Sequence, residues 1–482
     1  MTKCIRYKYL NLLIGLIVFF LMSCKKLVQV SAPNTSITSA NVYSTDASAI
    51  AAVTGIYATI GSGNTFSSQI LGLSGLAGLS ADELTLYSGA ATPPLSLYYT
   101  NNLNNNMQLD FWTQLYSDVY LANAAITGLS SATTLTPAIR QELLGEAEFD
   151  RAFCYFYLVN LYGDVPLVLT TNYTTNATLA RTPQASVWNQ IIEDLHNAAA
   201  ILSPNYLDGT LTVSMNERVR PIKWAAVALL ARAYLYLNNW AGADSAASAV
   251  IGNSQLYSLN SLDSVFLINS NEAIWQIQPL FAGYDTWDAY AFILTSSGPN
   301  NNYNLAYLND SLVTSFEPND QRRADWVDSV TVDSITYYYP YKYQNNLLNP
   351  PQITEYNMML RLAEQYLIRA EAEAYGAGSG ISAAIADLDT IRSRAGLTGY
   401  AGPQDQSDLL NAIYHERRVE LFTELGHRWL DLKRTKTVDA VMGGPTGACA
   451  NKGGSWSTND QWYPIPIYDL QYDPNLVQNS GY

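Results

Sequence analysis

Residues 415–434 read HERRVELFTELGHRWLDLKR. Nine of these twenty residues are charged, in a chain that is 14% charged overall. Val419, Phe422, Leu425, Trp429 and Leu432 recur every three or four residues, a helical stripe wide enough to bury. Charged residues fill the remaining faces, with Glu416 and Glu420, Glu420 and Glu424, and Glu424 and Arg428 four apart. The pattern predicts one helix over about 406–434. So charged a helix in so charge-poor a chain is expected to sit centrally, its charges paired by other helices.

Working outward, the 3.6-residue period predicts further helices over about 46–60, 110–129, 137–161, 184–202, 221–238, 240–252, 355–376 and 381–394. Three of them share a local pattern: Asp150-Arg151-Ala152, Ala231-Arg232-Ala233 and Ile368-Arg369-Ala370 each set Arg-Ala inside an apolar run. Around the middle one, Leu230, Ala231, Tyr234 and Ala243 fall at tetratricopeptide-repeat spacings, with Asn239-Trp240 at the turn. Small residues there let paired helices approach, so the fold class expected is mainly α, on a tetratricopeptide-like scaffold.

Two stretches interrupt the helices. Residues 61–109 are rich in Gly, Ser and Asn and read as a long irregular excursion. Residues 255–360 include a short strand at 272–278. They also include an alternation through Val330, Val332, Ile335, Tyr337, Tyr339, Tyr341 and Tyr343 that predicts a hairpin with a tyrosine-rich face. Both excursions set aromatics beside amides and carboxylates. A receptor for neutral sugars needs that mixture, flat rings for C–H faces and hydrogen-bonding groups for the hydroxyl rim. The candidate ligand contacts are Asp82, Glu83, Tyr87, Tyr98, Tyr99 and Asn101 in the first excursion, and Tyr284, Trp287, Tyr290 and Tyr303 in the second.

At the start, Lys3, Arg6 and Lys8 precede a thirteen-residue apolar run, Leu10 to Met22 with Asn11 its one polar residue, too short for a spanning helix and right for a signal peptide. Leu21-Met22-Ser23-Cys24 reads as a lipobox, making residues 1–23 a lipoprotein signal and Cys24 the lipidated residue. Residues 24–39 then form a polar tether and 40–482 one large domain. The formal charge of −15 becomes −18 once three basic residues leave with the signal, which argues against nucleic-acid binding. Four cysteines, one lost and one lipidated, make no disulfide framework, and Cys154 reads as a buried thiol. The three histidines, His196, His415 and His427, have no metal-ligand spacing, and no nucleophile elbow or Walker loop is present. The expectation is a non-enzyme with no catalytic residue, no cofactor and no assigned metal ligand, with a calcium ion near Asp82, Asp285 or Asp288 left open.

The 415–434 stretch resembles the C-terminal signature of the SusD/RagB family of Bacteroidetes surface lipoproteins, with Glu424, Gly426, Arg428, Trp429, Asp431, Leu432 and Arg434 at its landmarks. Leu161-Tyr-Gly163-Asp-Val-Pro166, Arg369-Ala-Glu-Ala, Tyr463-Pro-Ile-Pro466 and Gln478-Asn-Ser-Gly481-Tyr482 are similar to other family motifs, with Ser480 where proline is usual. The resemblance implies about four tetratricopeptide-type helix pairs with ligand-binding insertions at about 61–109 and 255–360. It also implies a lipid-anchored position on the outer face of the outer membrane, as the lid of a SusC-like TonB-dependent transporter. The implied ligand is an oligosaccharide. A peptide, or no ligand beyond a structural lid role, are the alternatives.

Overall fold

The structure, a computed structural model, describes residues 42–482 apart from 63–64, 67, 69–70, 107–108, 281–282 and 284. The signal, the tether, Cys24 and Tyr284 therefore lie outside the described residues. Residues Tyr43–Tyr482 form a single compact unit.

In chain order the elements used below begin with α1 (Asp46–Ser62), α2 (Gly72–Ser80), β1 (Leu84–Leu86) and α3 (Leu95–Tyr99). Then come α4 (Trp112–Ser131), α5 (Pro137–Tyr162), α6 (Tyr173–Asn176), α7 (Gln184–Ile201), α8 (Lys223–Tyr236) and α9 (Trp240–Ile251). β2 (Ala273–Ile277), α10 (Trp287–Phe292), β3 (Ala306–Leu308), β4 (Val327–Val332), β5 (Ile335–Pro340) and β6 (Asn357–Arg361) follow. The chain closes with α11 (Leu362–Ala374), α12 (Ile381–Arg394), α13 (Gln406–Glu420), α14 (His427–Arg434) and α15 (Ile467–Tyr472).

The scaffold is a succession of helices, α4, α5, α7, α8, α9, α11, α12 and α13, each against its neighbour in the stack. The three Arg-Ala positions explain how successive layers lock. Arg151 on α5 grips Asp194 on α7 through Nε (2.8 Å) and Nη2 (2.7 Å). Arg232 on α8 grips Glu364 on α11 (2.7 and 2.5 Å), and Arg369 on α11 grips Asp387 on α12 (2.6 and 2.7 Å). Each is a bidentate guanidinium–carboxylate pair, and the adjoining Ala152, Ala233 and Ala370 are fully buried where the helices close up.

Three expectations from the sequence need correction. The stretch 406–434 is not one helix: α13 ends at Glu420 and α14 begins at His427. Between them Thr423 (φ 52°), Leu425 (φ 45°) and Gly426 (φ 74°) take left-handed backbone. The stripe survives the break, with Val419, Phe422, Leu425, Trp429 and Leu432 all buried. Second, 355–376 opens as a strand: β6 pairs antiparallel with β2 before α11 begins. Its five residues are buried on both faces, so no alternation betrays it.

Third, residues 61–109 are not a wholly irregular excursion. They contain α2, whose nine residues (GLSGLAGLS) are all buried. Small side chains let it approach the turn before α14 so closely that a Cβ on Gly426 would stand 2.9 Å from that of Ala77. Lys452 Nζ donates to the Leu79, Ser80 and Ala81 carbonyls (2.8, 3.1 and 2.9 Å), satisfying the end of that buried helix. No described helix is long and apolar enough to cross a membrane.

Candidate functional site

The two insertions meet in a small sheet. β1 pairs antiparallel with β3 in the register Leu84↔Leu308, Thr85↔Tyr307 and Leu86↔Ala306, and Tyr87 N donates to Leu305 O (2.9 Å). Period-two alternation buries Leu84, Leu86, Ala306 and Leu308 and turns Thr85 and Tyr307 outward, half-buried. The predicted hairpin, β4 with β5, lies alongside. Tyr337 meets Tyr307 edge-to-face at 5.0 Å, and Gly298 (φ 74°) fits the loop before β3 against Val332 and Tyr337. Tyr99 hydrogen-bonds the Thr85 hydroxyl, and burial raises its own phenol pKa. Thr85, Tyr99, Tyr307 and Tyr337 thus form one half-exposed strip, with Tyr87 two residues along β1 on the same side.

A second aromatic file adjoins it. Thr286 caps α10 by accepting from Ala289 N (3.1 Å). Trp287 is buried, Tyr290 meets it edge-on at 5.7 Å, and Tyr303 meets Tyr290 at 5.1 Å. Asn304 Nδ2 donates to the Ile293 and Tyr290 carbonyls (2.9 and 3.3 Å), tying this file to β3. The file runs outward to Tyr303, 48% exposed, beside the exposed amides Asn301 and Asn302.

Four of the candidate ligand residues go elsewhere. Asp82 accepts from Arg428 Nε (2.7 Å) and Nη2 (2.9 Å) and from Arg418 Nη2 (2.9 Å). Burial opposes its charge, but the hydrogen bond and charge of Arg428, with Arg418, prevail and hold its carboxyl at about 2. Glu83 is buried beside it, and burial first, then the Asp82 charge, push it to about 8. Tyr98 is 1% exposed, edge-on to Tyr463 and Phe111, with its hydroxyl on Leu109 O. Asn101 is buried with its amide on Ser80 O (2.9 Å). Asp82 and Glu83 join the insertion to the signature segment, Tyr98 packs on Phe111 and Tyr463, Asn101 ties the insertion to itself, and all four are buried. Trp287, 8% exposed, supports Tyr290 from beneath.

The signature segment supplies the foundation of this face. Glu420 takes Arg361 Nη1 (2.6 Å), Arg322 Nη1 (2.9 Å) and Arg394 Nη2. Glu424 takes Arg361 Nε (2.7 Å) and Lys342 Nζ (2.5 Å), while Glu272 takes Arg361 and Arg394 (2.9 and 3.0 Å). Lys342 Nζ also stands over the Phe422 ring at 4.0 Å and the Trp326 ring at 4.9 Å. Arg322, Lys342 and Arg361 all come from the second insertion. Glu420 and Glu424 of the signature segment clasp all three, while Glu272 and Asp320, from the insertion itself, share Arg361 and Arg322 with them. Sequence reading missed Thr85 and Tyr307 as members of the strip, because β1 and β3 have three residues each, too short to carry a period.

Residues 289–482 match the model of the SusD family, and residues 91–235 match a family described as starch-binding and associating with the outer membrane. SusD-like protein P2 of Formosa agariphila is 28% identical, the match covering 80% of this chain and 82% of that one. A SusD superfamily protein from Bacteroides vulgatus shares the fold with a TM-score of 0.75, at 22% identity over 91% of this chain and 99% of its own. A laminarin-binding SusD-like protein superposes with a TM-score of 0.70, at 22% identity, over 90% and 99%. With the repeat scaffold, the paired insertions and two family models spanning both halves of it, this chain belongs to the SusD/RagB family.

Proposed function

We propose that this protein is a surface lipoprotein that captures oligosaccharides and delivers them to a SusC-like TonB-dependent transporter, without transforming them. The observation that carries the reading is the strip of Tyr87, Tyr99, Tyr307 and Tyr337, flanked by Tyr303 and its neighbouring amides. Half-exposed rings offer apolar platforms, and Asn301, Asn302 and Thr85 offer hydroxyl partners, on a base held rigid by buried ion pairs. The starch-binding description of the matched family and the laminarin-binding structural relative support the same ligand class. Residues 1–23 serve as the lipoprotein signal, Cys24 as the lipid attachment, 24–39 as the tether and 40–482 as the binding domain, at the cell surface.

Covering about 60–100 Å² of ring contributes roughly 1.5–2.5 kcal/mol at 25 cal/mol per Å². Two or three such platforms make a weak, exchangeable receptor. Calorimetric titration against neutral oligosaccharides and a mixed peptide pool tests the reading. The expected result is glycan binding that weakens about tenfold in Tyr303→Ala, with an unchanged melting temperature. Binding of peptides alone would replace glycan with peptide as the cargo.

A further inference from the structure

A second aromatic surface lies away from the strip, between α4 and α15. Trp112, Tyr116 and Tyr120 recur every fourth residue along α4, while Asp469, Tyr472 and Asp473 face them from α15 and its end. They enclose a cleft of about 300 Å³, the lower end of the range for small-ligand sites. Trp112 and Tyr116 make its floor, rings tilted 54° at 4.8 Å, with the Tyr116 hydroxyl fixed on Pro166 O (2.7 Å). Trp112 hydrogen-bonds the Asp469 carboxylate.

The lips are open. Tyr120 on α4 is 52% and Tyr472 on α15 82% exposed, and Tyr468 on α15 and Tyr173 on α6 are exposed as well. Two of the six exposed tyrosines among the described residues, Tyr120 and Tyr472, line this cleft. Asp473 accepts from Asn475 N (2.9 Å) with one oxygen, and Asn176, which also lines the cleft, is oriented by donating Nδ2 to Thr170 O (2.7 Å) and accepting from Thr170 Oγ1 (3.3 Å). No lysine or arginine lines the cleft among the described residues, so an anion has no counter-charge there. α15 is tied to the first insertion, Ile467 N donating to Asn105 O (2.8 Å).

We propose that this cleft is a second carbohydrate subsite, taking a neutral sugar ring between Tyr120 and Tyr472 with Asp473 and Asn176 as hydroxyl partners. The proposal rests on the reading of the strip as a glycan-binding face. Its consequence is avidity: a long polysaccharide reaching both sites is retained far more strongly than a short oligomer filling either one. Such a chain would be held at two points while one end is presented for import.

The test counts ligands on the full chain in detergent by native mass spectrometry. The probes are laminari-, malto-, xylo- and manno-oligosaccharides. Retention on gels containing laminarin or starch is measured in parallel. Tyr120→Ala/Tyr472→Ala removes the cleft's lips, both exposed and so harmless to folding, and Tyr303→Ala/Tyr337→Ala removes rings from the strip. Two bound oligomers in the native chain, one in either double variant, and on the order of tenfold or greater loss of polymer retention in each, is the expected result. One ligand, lost only in the strip variant, overturns the cleft and leaves the strip reading standing. One ligand, lost only in the cleft variant, keeps the cleft and removes the strip. No binding by any probe overturns both.

Discussion

Arg361 shows what a single residue carries here. Its guanidinium meets Glu272, Glu420 and Glu424 at 2.9, 2.6 and 2.7 Å, with 2% of its side chain exposed. Burial disfavours the charge of Glu420, yet Arg394, Arg361 and Arg322 pull its pKa well below the usual carboxylate range. Desolvating such a set is costly, so its net worth over an apolar core is small. Breaking it is different, because the carboxylates are left buried and uncompensated. Arg361→Met is expected to destabilise by about 3–5 kcal/mol, seen as a large drop in melting temperature. Of the candidate residues, Tyr87, Tyr99, Tyr290 and Tyr303 reach the candidate face. Asp82, Glu83, Tyr98 and Asn101 have the right chemistry for it, but composition does not reveal that Arg418 and Arg428, more than 330 positions away, claim Asp82.

At the scale of elements, the break at 421–426 matters most. It lets Leu425 N donate to Ser74 Oγ (3.0 Å) and Thr423 N to Glu83 (3.3 Å), so α2 is held by backbone that a continuous helix would keep for itself. Gly426 permits it, with φ 74° and Ala77 against the place of a Cβ. Gly426→Ala is expected to cost about 1–2 kcal/mol for the left-handed backbone alone, before the overlap with Ala77. Differential scanning calorimetry checks it; an unchanged transition would refute this account of the turn. The helix bounds at 137–162, 184–201 and 381–394 were readable within a residue or so because each is long and strongly periodic. The break and β6 were not, because a buried stripe runs through both.

Over the whole molecule, buried acids set the pH response. Burial raises Glu83 to about 8, and Glu142, Glu355 and Asp288 to about 7. Each binds more protons folded than unfolded between its ordinary value and the raised one, so stability falls as pH rises from about 4.5 to 8. Asp82 and Glu364 behave oppositely. Although burial opposes their charge, their arginine partners hold both at about 2, so their contribution is lost as pH falls below about 4.5. Melting temperature is therefore expected to peak near pH 5 and to decline towards both pH 3 and pH 8. Glu83→Gln, unable to ionise, should flatten the alkaline decline; an equally steep one would exclude Glu83 as a contributor.

The helical repeat class, the signature stretch and the positions of the three Arg-Ala pairs were legible in the residues themselves, though not that each Arg clasps a carboxylate on a neighbouring helix. Those readings rest on local periodicity or composition, which short-range physics writes into consecutive residues. Only the tertiary structure decided that the insertions join through β1 and β3, and that the signature breaks to hold α2. It also decided which polar residues are taken inward. Those outcomes depend on partners as far apart as Asp82 and Arg428, and contacts between distant positions leave no period for one sequence to display.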